Sequence, residues 1–123
     1  LVDLSVATRL VQIGLLGEAV EGAPVAVLVA DENGRYVAAN TYACNLFGYG
    51  REELLRLRIA DLVADPDVEA HYARFVAVGR DEGTLTARRK DGTEFRFRYR
   101  AGATTVSGLP YFVSIGTEVD ETA

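Results

Sequence analysis

Cys44 and His71 are the only cysteine and the only histidine in this sequence. A cysteine works as a nucleophile or metal ligand through its thiolate, which needs an electropositive setting. A histidine serves as an acid–base group or a metal ligand. The two stand far apart along the chain and form no nucleophile–base–acid triad by themselves. One cysteine also excludes an intrachain disulfide framework and a multi-cysteine metal site. Asp65 and Asp67 are closely spaced acids, but they precede an apolar run. A helix start explains them better than a metal, because carboxylates are stabilised near a helix N-terminus. The glycine-containing turns match no phosphate-binding loop. Six basic residues gather late in the chain: Arg88, Arg89, Lys90, Arg96, Arg98 and Arg100. Asp91 and Glu94 dilute this cluster, and a net charge of −5 is not the basic footprint that nucleic acid requires. The cluster reads as a solvated hairpin, with docking to an acidic protein surface as the functional alternative.

The elements that would hold these residues follow from composition and periodicity. A chain of 123 residues, 49% hydrophobic and 25% charged, makes one compact domain. Nothing resembles a spanning helix or a signal peptide, so the expected location is cytoplasmic, without membrane insertion. The chain has no methionine, not even an initiator, and is read as a piece of a longer protein.

Residues 1–22 predict an amphipathic helix. Val6, Leu10, Ile13, Gly17 and Val20 recur at alternating spacings of four and three, and Leu4, Ala7, Val11 and Leu15 form a second apolar row. Two stripes want burial on more than one side, either within the domain or against a partner. Two β-rich runs follow around Asp31-Glu32-Asn33-Gly34, a hairpin signal. Asn40 is placed to cap the next helix, which Gly48 ends. Gly50 starts another short helix, with Glu53 at the third position of a half-complete capping box. Residues 59–64 read as an irregular connector. Asp65 and Pro66 then start a helix carrying Val68, His71 and Phe75 on one face, and Gly79 ends it. The rest is β: a strand beginning near Thr84, a turn at Lys90-Asp91-Gly92, and an alternating run with Phe95, Phe97 and Tyr99 on one face. Arg96, Arg98 and Arg100 take the other. A second turn near Ser107-Gly108 leads to the last strand. Strands at both ends with helices between them imply an antiparallel α+β domain. The middle helices would cover one face of a five-stranded sheet, leaving the first helix for the other.

The segments APVAVLVADENGRYVAAN, NLFGYGREELL, RRKDGTEFRFRYR and YFVSIGTEVDE, in this order and spacing, resemble the PAS sensor family over residues 20–120. The resemblance implies strand order 2-1-5-4-3, a hollow between sheet and central helices, and a homodimer through residues 4–20. It divides the chain into a dimerising helix at 1–22, a PAS domain at 23–120, and at 121–123 the start of a linker to an output domain such as a histidine kinase or cyclase. Glu118-Val119-Asp120 stands where the family usually has Asp-Ile-Thr before that linker. The resemblance makes the chain a sensory or regulatory module of a two-component system, not an enzyme.

Ligand expectations rest on the same resemblance. Light-sensing members need a cysteine where Ile59 stands, and Cys44 lies a whole element earlier, so it reads as a small buried hydrophobe. His71 lies on the helix that carries the axial histidine of haem-binding members, but about one turn late, with Val68 at the ligand position; it is a weak haem-ligand candidate. For a non-covalent flavin or a small organic molecule, the candidate lining is His71, Tyr42 and Phe75 from the helices, with Phe97, Tyr99, Phe112 and Ser114 from the strands. The same residues would equally fill the hollow, leaving a constitutive dimerisation module without a ligand.

Overall fold

The computed structural model describes residues 4–120. The ends of the first helix and of the linker expected at 1–3 and 121–123 lie outside the described residues. Ten elements follow in order: α1 (Leu4–Glu21), β1 (Ala26–Ala30), β2 (Tyr36–Ala39), α2 (Thr41–Phe47), α3 (Arg51–Leu54), α4 (Ile59–Leu62), α5 (Val68–Val78), β3 (Arg80–Arg88), β4 (Glu94–Val106) and β5 (Leu109–Val119). The strands form one antiparallel sheet in the order β2-β1-β5-β4-β3.

Local chemistry accounts for the punctuation. Asn40 caps α2 by accepting from the Ala43 N–H at 3.0 Å, and Gly48 ends that helix at φ 81°. Glu53 accepts from the Gly50 N–H at 3.0 Å, which is the half of a capping box that glycine leaves possible. Ser107 and Gly108, at φ 52° and 80°, make the turn joining β4 to β5, where both central residues need positive φ.

Alternation sets the sheet's two faces. Ala26, Leu28, Ala30, Phe95, Phe97 and Phe112 point into the core, which α2, α3, α4 and the Phe75 face of α5 cover. Gly116 belongs to this inner face, and its missing side chain makes room for the Phe97 ring.

Four expectations change. Residues 59–64 contain a helical turn, α4, started by Asp61, which accepts from the Arg58 N–H at 2.8 Å. Helix α5 begins at Val68, not at Pro66: Asp65 Oδ1 accepts from the Asp67 N–H at 2.9 Å, so Asp65-Pro66-Asp67 form a turn ahead of the helix. Strand β3 begins at Arg80, immediately after the Gly79 cap, because β4 is long enough to pair with all of it. Finally, α1 does not cover the sheet's outer face. Its Val6, Leu10, Val11, Ile13, Leu15, Leu16 and Val20 are 43–66% exposed, and on the sheet Val37 and Ile115 are exposed too. A helix at the chain's start buries its stripe within its own domain only if the connection folds it back, and residues 22–25 do not.

Candidate functional site

The helical layer hangs between the two edge strands. On one side the Tyr36 N–H donates to Leu57 O at 3.1 Å and the Ile59 N–H to Gly34 O at 2.9 Å. On the other, the Ala64 N–H donates to Thr86 O at 2.9 Å, and Val63 bridges to Ala87. Fastened at both margins, the layer cannot settle onto the sheet's centre. A hollow of about 460 Å³ remains there, within the roughly 300–1,000 Å³ typical of small-molecule sites.

Two aromatic clusters bound it. Phe47 meets Phe97 edge-on with centroids 5.7 Å apart, and Phe75 meets Phe112 at 5.3 Å, with Tyr72 joining at 5.8 and 6.1 Å. The Tyr72 hydroxyl donates to Asp31 O at 2.6 Å, pinning α5 to the β1–β2 loop. Burial, helped by Asp31, pushes the Tyr72 phenol above its ordinary value, so it stays a neutral donor. The floor is Leu28, Ala30, Ala101 and Ser114. The mouth lies between the start of α5 and β3, where the half-buried Asp65 and the exposed lining residues His71, Asp81 and Thr84 gather. His71 Nδ1 lies 2.6 Å from Asp65 Oδ2. The Tyr99 hydroxyl donates to Asp81 Oδ2 at 2.7 Å; burial first, then this bond, raises the phenol above its ordinary value.

Six of the seven candidates, His71, Phe75, Phe97, Tyr99, Phe112 and Ser114, line this hollow. Tyr42 does not: it borders a shallow depression beside Phe95, Glu118 and Val119. Two contributors escaped sequence reading. Tyr72 shares the inward face with Val68 and Phe75 at spacings of four and three, a signal present in the sequence that the Val68–His71–Phe75 stripe obscured. Tyr36 was hidden by an irregularity in register. Ala30 pairs with Tyr36 while Val29 pairs with Ala38, so Tyr36 and Ala39 both turn inward despite their odd spacing.

The donor set restricts what chemistry the hollow can host. Cys44 is buried in α2 outside the lining, and burial pushes its thiol above the ordinary value. Ile59, which the resemblance sets where light-sensing members carry their cysteine, lines the hollow. No thiol in the lining is therefore available to bond a flavin ring. His71 does not suit haem. Its side chain is 54% exposed at the mouth, whereas an axial ligand must sit within the pocket, and the more inward Val68 has no donor atom. Among the described residues no three His, Cys, Asp or Glu side chains group as a metal site, and no helix is long and apolar enough to cross a membrane.

Comparison with known proteins agrees with this architecture. The family model described as a PAS domain matches residues 24–123. Among solved structures, the PAS domain of an HTR-like protein from Haloarcula marismortui superposes with a TM-score of 0.78 at 19% identity, covering 95% of this chain and 100% of that one. A domain of a sensory box sensor histidine kinase/response regulator from Geobacter sulfurreducens gives 0.71 at 20% identity, covering 85% and 92%. An RNA-binding light-oxygen-voltage receptor gives 0.77 at 24% identity, covering 89% of this chain and 33% of that one. No curated protein matches the sequence.

Proposed function

This chain belongs to the PAS domain family, and from that premise we propose that it is a sensory or regulatory domain whose hollow binds a small organic molecule and passes its occupancy to a linked output domain. The observation that carries this reading is the hollow itself: the aromatic side chains that would have filled it form its two ends instead. The relay has a physical route. Phe112 and Ser114 face the hollow on the strand that runs on to Glu118, where Arg89 Nη2 reaches Glu118 Oε1 at 3.0 Å and Arg89 Nε donates to Leu46 O at 3.2 Å. A ligand shifts such an arrangement only by binding its two states with different affinity. The output domain would be an enzyme such as a histidine kinase or cyclase.

The exposed stripes of α1 support a homodimer through residues 4–20. Seven large apolar side chains on an 18-residue helix are poorly placed in water, and Gly14 and Gly17 leave that helix dependent on packing. This observation also favours a second reading, a constitutive dimerisation module that needs no ligand.

One preparation separates the two. The domain is purified without denaturation, its visible absorption is recorded, and released small molecules are identified by mass spectrometry. A stoichiometric molecule, or thermal stabilisation by a compound from a metabolite screen, supports the sensor. A protein with neither that still dimerises supports the module. Leu10→Glu with Ile13→Glu is expected to yield a monomer by light scattering, and an unchanged mass would refute the α1 interface.

A further inference from the structure

The polar atoms left without partners inside the hollow define the chemistry of its ligand. Tyr36 is only 8% exposed and lines the hollow, yet its hydroxyl has no hydrogen-bond partner among the described residues. No side-chain oxygen or nitrogen among the described residues is both sealed and unpartnered, so this hydroxyl keeps some accessible surface, on a residue that lines the hollow. Burial, reinforced by Tyr72 and Asp61, pushes its ionisation well above the ordinary value, and it remains a neutral donor. Ser114, on the floor, likewise has an Oγ without a partner among the described residues. The lining's formal charges, by contrast, are engaged. Arg96, its one arginine, donates to Thr86 Oγ1 at 2.8 Å. His71 is held by Asp65, and Asp81 accepts from Tyr99. Two aspartates at the mouth oppose a second negative charge.

Resting on the proposal that the hollow binds a small molecule, we infer that this molecule is an uncharged aromatic compound bearing a hydroxyl or carbonyl oxygen, held by the Tyr36 and Ser114 hydroxyls. The ring lies among the aromatic side chains at the two ends of the hollow, where flat apolar surface is matched by Phe47, Phe97, Phe75 and Phe112. A purely apolar molecule would strip both hydroxyls of any partner, which costs free energy; an oxygen-bearing one restores a bond to each. A carboxylate or phosphate meets no free cation in the lining.

Four compounds on one ring test this by calorimetry with the whole chain: 2-naphthol, naphthalene, 2-naphthoate and 2-naphthylmethylammonium. 2-Naphthol is expected to bind tightest, roughly fivefold or more above naphthalene, the effect of about one hydrogen bond. Tyr36→Phe and Ser114→Ala each reduce that preference, and together they abolish it, while naphthalene binds the double variant at least as tightly as the parent because no hydroxyl is left to desolvate. Tyr36→Phe removes an unpartnered hydroxyl, so the variant folds as stably as the parent. Naphthoate or the ammonium compound binding as tightly as naphthol, or naphthol affinity surviving the double substitution, overturns the inference while the binding hollow stands. No binding by any of the four counts against the small-molecule reading itself, and this inference falls with it.

Discussion

Replacing Asn40 with alanine removes four hydrogen bonds at the point where α1, β1 and α2 meet. The side-chain oxygen accepts from the Val27 and Ala43 N–H groups, both at 3.0 Å, and the side-chain nitrogen donates to Val20 O at 2.8 Å and Val25 O at 2.9 Å. Asn40 is itself 3% exposed, the one buried polar side chain among the described residues. A hydrogen bond contributes about 1 kcal/mol net, and a buried group left unpaired costs about 1–3 kcal/mol. Water can reach Val20 O at the end of an exposed helix, so that bond is partly replaced. Ala43 is fully buried and Val27 half-buried, so their amides, the first above all, are not so easily satisfied. The expected loss is about 2–4 kcal/mol, a large share of the stability of a domain this size. Urea denaturation measures it as a lower midpoint with an unchanged slope. Asn40→Ser, which can still accept from Ala43, should recover about 1 kcal/mol, the usual contribution of an N-cap. A loss below about 1 kcal/mol for the alanine variant, or no recovery with serine, would refute the idea that this one side chain fastens three elements.

Gly116→Ala places a Cβ onto the Phe97 ring and Arg98 O, and is expected to cost about 1–3 kcal/mol in the same assay; a neutral result would mean that the inner face has slack there. Cys44 should react with iodoacetamide at neutral pH roughly tenfold slower in the folded protein than in urea, because burial disfavours its thiolate; equal rates would contradict its place in α2. The junction between α1 and α2 carries an acid dependence. The Thr41 hydroxyl, chiefly, and Arg51 hold the Glu21 carboxyl below its ordinary value, so this fastening is present at neutral pH and is lost as pH falls through that lowered value. Protection factors of the amides around residues 18–22, taken relative to intrinsic exchange at each pH, should therefore fall in acid in the parent but not in Glu21→Gln, and identical acid behaviour of the two would remove Glu21 as the cause.

Much of the domain was legible because its signals are local. Asn40 as a cap, Gly48 and Gly79 as helix ends, the hairpin turns, and the alternation of Phe95, Phe97 and Tyr99 each depend on a few neighbouring residues, and the structure has all of them. The start of α5 was misplaced because an aspartate before proline suits a turn as well as a cap, and Asp65 takes the turn. Most of the lining was legible through His71, Phe75, Phe97, Tyr99, Phe112 and Ser114, since strand alternation and one helix stripe identify an inward face. An inward face, however, does not distinguish a filled core from a hollow.

That distinction is tertiary. It depends on hydrogen bonds between segments distant in sequence, Tyr36 to Leu57 and Ala64 to Thr86, which hold the helical layer at both margins of the sheet and keep it off the floor. The same holds for Tyr36, turned inward by a register irregularity that only the pairing of two strands reveals, and for α1, whose direction of departure leaves its apolar stripes uncovered. The amino-acid sequence alone determined the elements, their order and which faces are apolar, because propensity, capping and periodicity act within a few residues. Whether those faces close on each other, on a ligand or on a second chain is a matter of long-range spacing, and no local pattern encodes it.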